Sequence, residues 1–158
     1  MGLNVGDKAP DVTLPSTENK MVSLAGLWAE GPLTVLFFPL AFTSTCTEEL
    51  CAVRDDITSY RGVGEAGRVV AISVDSPFTL AKFREEIGAD YLFLSDFNRE
   101  ASRAFGVLRA SPLGPGLINA SDRAAFVVGT DGTVKYAWHE TNPGLLPPFD
   151  EIKQALAA

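Results

Sequence analysis

The order of apolar patterns along the chain predicts an α/β fold with a mixed central β-sheet flanked by helices. Residues 33–38 and 68–74 are nearly continuous apolar runs, which are typical of strands buried on both faces of a sheet. A segment with helical periodicity follows each run, giving the order strand–helix–strand–helix. Further along, Asp131-Gly132 predicts a tight turn between two antiparallel strands. Parallel and antiparallel pairs are therefore expected in one sheet.

The N-terminal part predicts a small β-hairpin and then the first buried strand. Two short alternating runs, 11–14 and 21–24, flank a turn cluster and form the predicted hairpin. Gly31-Pro32 opens the strand 33–38, and Pro39 ends it because proline cannot donate to a neighbouring strand.

A helix is predicted from about Thr45 to Arg61, because apolar residues recur there at steps of three and four. These residues are Leu50, Val53, Ile57 and Tyr60. Thr45 with Glu48 fits a T-x-x-E capping box at the start of the helix, and Gly62 and Gly64 end it.

The middle of the chain predicts two further helices, one on each side of a short strand at 91–95. Pro77 suits the first turn of a helix that Gly88 closes. Its apolar face consists of Leu80, Phe83 and Ile87. A brief helix over Arg99–Phe105 follows the strand. Its expected inward residues are Ala101, Ala104 and Phe105.

Residues 106–121 form a loop rich in proline and glycine, which is long for a compact domain and therefore a candidate functional segment. Strands at 123–128 and 133–138 and a helix at 149–157 complete the chain. This order matches the thioredoxin-like arrangement in a single domain, 1–158. The first long helix begins at the carboxyl end of a central strand, where open α/β sheets place their sites.

Composition argues against several classes of partner. A net charge of -7 and a pI near 4.6 are unfavourable for binding nucleic acid or an anionic membrane surface. No apolar run approaches the roughly 20 residues of a membrane-spanning helix, and the N-terminus lacks the basic and apolar regions of a signal peptide. A cytoplasmic location is therefore expected, where cysteines are catalytic or redox-active more often than structural.

Cys46 lies where a buried strand gives way, through a turn rich in threonine and serine, to a helix. Unpaired backbone N–H groups and the helix dipole favour a thiolate at such a point. The glutamates that follow oppose negative charge on the sulfur, so a cation from elsewhere is required. Arg123, which opens a strand after the long loop, is the candidate, whereas Arg54 and Arg61 are expected to be solvated.

A second interpretation of Cys46 stays open on these grounds. The residue shares a helix face with Leu50, Val53 and Ile57, and a cysteine on such a face is usually a small core residue. Spacing alone does not name a reaction for it.

Residues 39–46 resemble the P-x-x-x-T/S-x-x-C active-site motif of the peroxiredoxins, which are thiol peroxidases on a thioredoxin-like fold. The run 38–43 is most similar to the alkyl hydroperoxide reductase E branch of that family. The opening segment 5–11 and the strand 123–128 are similar as well, so the resemblance extends over nearly the whole chain.

The resemblance implies a role for each residue of the motif. Cys46 would be the peroxidatic cysteine, which attacks the terminal oxygen of hydrogen peroxide or an organic hydroperoxide and becomes sulfenic acid. Thr43 would hydrogen-bond the sulfur and the peroxide, and Pro39 would shield the thiolate from water. Arg123 would stabilise the thiolate and the departing oxygen, and Glu49 would orient Arg123. Simpler roles stay open: Pro39 as a strand terminator and Glu49 as a solvated helix residue.

Cys51 departs from the alkyl hydroperoxide reductase E pattern, which needs one cysteine. The C-x-x-x-x-C spacing resembles the bacterioferritin-comigratory (PrxQ) branch, in which the second cysteine resolves the sulfenic acid as an intramolecular disulfide. An intact helix separates the Cα atoms of such a pair by roughly 8–9 Å, whereas a disulfide needs about 4.4–6.8 Å. The first turns must therefore unwind for Cys46 and Cys51 to join. The alternative is that Cys51 is inert and an external thiol resolves Cys46.

Expectations about partners and cofactors come from the residues as well as from the resemblance. Reducing power is expected from a thioredoxin-like dithiol or a small thiol, because Gly62-Val63-Gly64 follows a helix and lacks the setting of a dinucleotide site. A homodimer is expected, with Phe42 and the 106–121 loop as an apolar mouth or dimer face. Neither cofactor nor metal is expected, since two cysteines and the distant His139 are a poor ligand set. His139 is instead expected at the surface or in an interface.

Of three rival functions, two remain. A thioredoxin-type disulfide reductase needs C-x-x-C, which the chain lacks. A non-enzymatic binding module on the same fold is favoured only if Cys46 is unreactive. A peroxide sensor that passes its oxidation to a partner shares the first chemical step.

Overall fold

The computed structural model describes residues 2–61 and 68–157. Its helices and strands, in chain order, are β1 (Thr13–Pro15), β2 (Met21–Ser23), α1 (Leu24–Trp28), β3 (Leu33–Phe37), α2 (Ser44–Asp55), a 3-10 turn (Ile57–Tyr60), β4 (Arg68–Ser73), α3 (Pro77–Ile87), β5 (Leu92–Ser95), α4 (Glu100–Ala104), β6 (Arg123–Val128), β7 (Val134–Glu140) and α5 (Phe149–Ala157). None of the helices in these residues is long and apolar enough to cross a membrane.

The central sheet has five strands in the order β5-β4-β3-β6-β7. β3 runs parallel to β4 and antiparallel to β6, so the predicted mixed sheet is confirmed. β1 and β2 pair separately as the predicted N-terminal hairpin. In the β3–β6 register Phe37 lies opposite Ala124, which places the end of β3 and the start of β6 at the same edge of the sheet.

Hydrophobic cores cover both faces of the sheet, which explains the nearly continuous apolar runs of β3 and β4. On one face, Leu50 of α2, Phe83 of α3 and Ile152 of α5 pack into a single buried cluster. On the other face, Leu24 of α1 and Phe105 after α4 pack against the alternate residues of the strands. The sheet is thus a rigid support for the loops at its edges.

The predicted end of α2 at Arg61 is wrong, whereas its start lies within one residue of the predicted Thr45. The helix begins at Ser44 and ends at Asp55, and Asp56 has a non-helical backbone that starts the 3-10 turn. The periodic residues nevertheless stay inward, because the 3-10 turn keeps Tyr60 buried. The predicted ending at Gly62 and Gly64 lies outside the described residues.

Ala104 is exposed, contrary to the expectation that it faces inward, and Ser102 is buried in its place. The buried carboxylate of Asp96 accepts hydrogen bonds from the backbone and hydroxyl of Ser102, which rotates that face of α4 inward. Helix α1 has no counterpart among the predictions. Ser23 begins it by accepting a hydrogen bond from the Gly26 amide at 3.1 Å, but five residues are too few for a readable period. The bounds of the other elements differ from the predicted ones by no more than two residues.

Candidate active site

Cys46 lies at the bottom of a cleft at the edge where β3 ends and β6 begins. The cleft has a volume of about 270 Å³ and is lined by Pro39, Thr43, Ser44, Thr45, Cys46, Leu113, Arg123, Pro143 and Gly144. Its walls come from the β3–α2 turn, the 106–121 loop and the loop that follows β7. Only 1% of the Cys46 surface is exposed, and this cleft gives a reactant a path to the sulfur.

The start of α2 places Cys46 in the first turn of the helix. Thr43 is the N-cap residue, with an extended backbone, and the amide of Thr47 makes the first intrahelical hydrogen bond to the Thr43 carbonyl at 2.9 Å. The backbone N–H groups before Thr47, including that of Cys46, therefore have no acceptor within the helix. They create a positive local field that favours negative charge on the sulfur. The predicted Thr45–Glu48 capping box is wrong, because Thr45 is already the second residue of the helix.

Arg123 joins the parts of the site through three hydrogen bonds. Its Nη2 donates to Cys46 Sγ at 3.3 Å and to the carbonyl oxygen of Pro143 at 2.7 Å, and its Nη1 donates to Glu49 Oε1 at 2.5 Å. The side chain is 1% exposed, so little water screens its charge from the sulfur. Although burial disfavours the charged form, negative charge on Glu49 and Cys46 raises the pKa of Arg123. Arg123 is therefore a permanent cation in this site.

Glu49 is completely buried beside Arg123, and its second carboxylate oxygen, Oε2, has no hydrogen-bond partner in the described part of the chain. Burial raises the pKa of Glu49 to about 7, and the charge of Arg123 and its hydrogen bond limit that rise. The alternative of a solvated Glu49 is therefore wrong. The carboxylate instead fixes the Arg123 guanidinium from one side, while the Pro143 carbonyl fixes it from the other.

Thr43 and Pro39 both line the cleft around the sulfur. The hydroxyl of Thr43 donates its one proton to the Leu40 carbonyl at 2.8 Å. Its oxygen can therefore accept a hydrogen bond from a molecule in the cleft but cannot also donate one to Cys46. Pro39 contributes an apolar ring to the same wall.

Cys51 lies outside the cleft, on the same helix as Cys46, and is half-buried. Both cysteines are free thiols. Of the predicted site residues, the structure brings together Cys46, Thr43, Arg123, Pro39 and Glu49, and it keeps Cys51 apart from them.

The sequence gives no signal for two further parts of the site. Pro143 acts through its backbone carbonyl, which no side-chain pattern reveals. Arg109, in the long loop, donates to the Thr141 carbonyl at 2.6 Å and to Asp122 Oδ1 at 3.0 Å. It thereby ties the long loop to the segment that carries Pro143.

His139 lies outside the cleft, on β7. Its Nε2 is 2.8 Å from Asp122 Oδ2, and 30% of its side chain is exposed. Within residues 2–61 and 68–157, no three His, Cys, Asp or Glu side chains are grouped so as to hold a metal ion.

Comparison with known proteins places the chain in a family. Residues 5–137 match the AhpC/TSA family. The chain is 35% identical to alkyl hydroperoxide reductase E of Mycobacterium bovis over 137 residues, which cover 85% of this chain and 84% of the relative. It is 28% identical to peroxiredoxin Bcp of Escherichia coli over 138 residues, which cover 87% and 86% of the two chains.

Similarity to solved structures agrees with the sequence matches. The crystal structure of peroxidoxin BcpB from Mycobacterium tuberculosis superposes with a TM-score of 0.81 at 29% identity, covering 98% of this chain and 96% of that one. The expected thioredoxin-like fold and the expected family are therefore confirmed. The chain belongs to the AhpC/TSA family and is a peroxiredoxin, a thiol-dependent peroxidase.

Proposed function

We propose that Cys46 is the peroxidatic nucleophile, and the contact of Arg123 Nη2 with Cys46 Sγ at 3.3 Å is the observation that carries the proposal. The contact supplies the cation that a thiolate needs at a site where Glu49 brings negative charge close by. The helix N-terminus adds a second favourable field, and the cleft admits a small reactant to an otherwise buried sulfur.

The first step converts a peroxide and a thiolate into an alcohol and a sulfenic acid. The sulfur lone pair attacks the terminal oxygen, the O–O bond breaks, and the departing alkoxide or hydroxide takes up a proton to leave as ROH or water. Arg123 stabilises the negative charge that moves from sulfur to the departing oxygen. Thr43 accepts a hydrogen bond from the terminal O–H of the peroxide, and Pro39 keeps water away from the sulfur.

The second step forms a disulfide between Cys46 and Cys51. The Cys51 thiolate attacks the sulfur of the sulfenic acid, the S–S bond forms, the S–O bond breaks, and the hydroxide leaves as water after protonation. The cysteines lie on one helix, so its first turns unwind beforehand. A thioredoxin-like dithiol or a small thiol then reduces the disulfide and restores both thiols.

Intact mass after one equivalent of hydrogen peroxide tests this assignment. Loss of two hydrogens, with no free thiol left, is the expected result, and Cys51→Ser should stop at a gain of one oxygen that a sulfenic-acid reagent traps. A wild-type protein that also stops at the trapped sulfenic acid contradicts the resolving role of Cys51 and makes the enzyme dependent on an external thiol. An unchanged mass over minutes contradicts the assignment of Cys46. The variant Cys46→Ser is the control for oxidation elsewhere.

We further propose that the protein works in the cytoplasm as a homodimer. Phe97, Leu117 and Ile118 are large apolar side chains that expose about half or more of their surfaces, and exposed apolar side chains that lie together mark interaction surfaces. Arg99 joins their two loops, since its Nε donates to the Asn119 carbonyl at 3.1 Å and its Nη1 to the Phe97 carbonyl at 2.5 Å. A second copy of the chain is the partner that this apolar surface suits.

A further inference from the structure

The two halves of α2 are held to the rest of the protein in different ways. The half that carries Cys46, residues 44–49, is tied by Arg123 through Cys46 and Glu49. Within the described residues, its other side-chain hydrogen bond is local, from the Thr47 hydroxyl to the Thr43 carbonyl. The half that begins at Leu50 and contains Cys51 is held by groups that do not line the cleft around Cys46.

Tyr91 makes the first of these attachments. Its hydroxyl donates to the Leu50 carbonyl at 2.7 Å, and the bond is buried. The phenol ring stacks on Phe93 with 5.2 Å between centroids, and the Arg84 guanidinium donates to the Tyr91 carbonyl at 2.8 Å, so the hydroxyl has a fixed position. Burial raises the pKa of Tyr91, and negative charge on Glu49 and Cys51 adds to the rise, which keeps the hydroxyl protonated as a donor.

Arg54 makes the second attachment. Its Nη1 donates to the carbonyl of Ile87, the last residue of α3, and its Nε donates to Asp55 Oδ1 at 2.9 Å. The guanidinium therefore fastens the end of α2 to the end of α3, contrary to the expectation that Arg54 is simply solvated. Cys51 lies three positions before Arg54 on α2, so the positive charge of Arg54 is close to the second thiol.

Oxidation of Cys46 weakens the attachment of residues 44–49 to the rest of the protein, but not the attachment of residues 50–55. A sulfenic acid lacks the negative charge of the thiolate, so Arg123 loses a charged acceptor. Release of residues 44–49 also returns the buried Glu49 carboxylate and its unpartnered oxygen to water. The bonds from Tyr91 and Arg54 do not depend on the oxidation state of Cys46.

We propose that Tyr91 and Arg54 are positioning residues for disulfide formation, which keep residues 50–55 helical while residues 44–49 unwind and carry the oxidised Cys46 to Cys51. The inference rests on the proposed resolving role of Cys51. A helix of one and a half turns is unstable by itself in water, so the surviving half needs such external attachments. Cys51 then keeps its position near the Arg54 guanidinium, and Cys46 is the cysteine that moves.

Rapid-quench kinetics with Tyr91→Phe test the proposal. This change removes one hydroxyl and keeps the stacked ring. Sulfenic acid formation should stay within about twofold of the wild type. Disulfide formation should slow about fivefold, the effect of one buried neutral hydrogen bond, because a fraying second half no longer holds Cys51 in place. Arg54→Met, which keeps an apolar stem, should show the same pattern.

Tyr136→Phe is the matched control, since its hydroxyl donates to Glu151 Oε1 at 2.9 Å on the surface, away from α2. Tyr136→Phe should form the disulfide at the wild-type rate. An unchanged or faster rate of disulfide formation in Tyr91→Phe overturns the proposal. The hydrogen bond from Tyr91 to the Leu50 carbonyl would then have no effect on disulfide formation or would oppose it. A wild-type protein that stops at sulfenic acid overturns the resolving role of Cys51 and this inference together, which separates the two failures.

The position of the hinge is a second, structural readout. In the disulfide form of the wild-type protein, backbone Cα chemical shifts should be non-helical for residues 44–49 and helical for residues 51–55. Loss of helical shifts through Asp55 overturns the proposal even if the kinetics agree.

Discussion

The Arg123 guanidinium donates hydrogen bonds to three acceptors at once, because its N–H groups form a planar fork. Lysine carries the same charge but cannot reach Cys46, Glu49 and Pro143 with one ammonium in the same geometry. Arg123→Lys should therefore lower the second-order rate constant of sulfenic acid formation by about 100-fold, the size expected for one misplaced oxyanion donor. Stopped-flow measurement with limiting hydrogen peroxide gives this constant. Arg103→Lys, a surface change, is the control, and a loss below threefold contradicts the role.

Glu49 should make the stability of the reduced protein depend on pH. Its pKa is raised from 4.5 to about 7 in the folded state by burial, so the stabilising contribution of the protonated form is complete below pH about 4.5. This contribution to the free energy of unfolding, which is at most about 3 kcal/mol, is lost as the pH rises through about 7. Urea unfolding between pH 4.5 and 8 measures it. Glu49→Gln should give a flatter profile, and parallel profiles for the two proteins contradict the prediction.

At the scale of elements, Arg109 links the long loop, the start of β6 and the loop after β7. Since it binds the Thr141 carbonyl two residues before Pro143, it fixes the carbonyl that holds Arg123. Arg109→Gln should slow the reaction of Cys46 with peroxide about tenfold, as small displacements in an active site do. Alkylation of Cys46 by iodoacetamide needs the thiolate that Arg123 stabilises but not the alignment of Arg123 with a departing oxygen, so its rate should fall less than the rate of the reaction with peroxide. Equal losses in both reactions contradict a positioning role.

The elements differ in how far the sequence predicts them, for physical reasons. β3 and β6 are predictable because burial on both faces demands continuous apolar residues. The start of α2 is ambiguous because Thr43, Ser44 and Thr45 all suit an N-cap, and the structure uses Thr43 without a side-chain cap bond. In the site, the need for a cation points to Arg123. The Pro143 carbonyl is unpredictable because every residue has one.

At the scale of the whole molecule, the exposed apolar surface around Ile118 predicts association. Ile118→Asp should shift the protein from dimer to monomer in sedimentation velocity, because an interface cannot bury an unpaired carboxylate without a large penalty. Met21→Asp, on the N-terminal hairpin, exposes a similar fraction of an apolar side chain and is the matched control. A wild-type protein that sediments as a monomer at every concentration contradicts the dimer.

The hydrogen bond between Arg123 and Cys46 joins residues 77 positions apart, which has a consequence for biosynthesis. Protein chains emerge from the ribosome with the N-terminus first and fold in units as they are completed. Cys46 is therefore exposed to the cell for a time before Arg123 has been added to the chain. During that interval the thiol has neither the guanidinium nor the cleft. The proposed assistance from Arg123 and the cleft begins only when β6 joins the sheet, so an unfinished chain should react with peroxide no faster than an ordinary exposed cysteine.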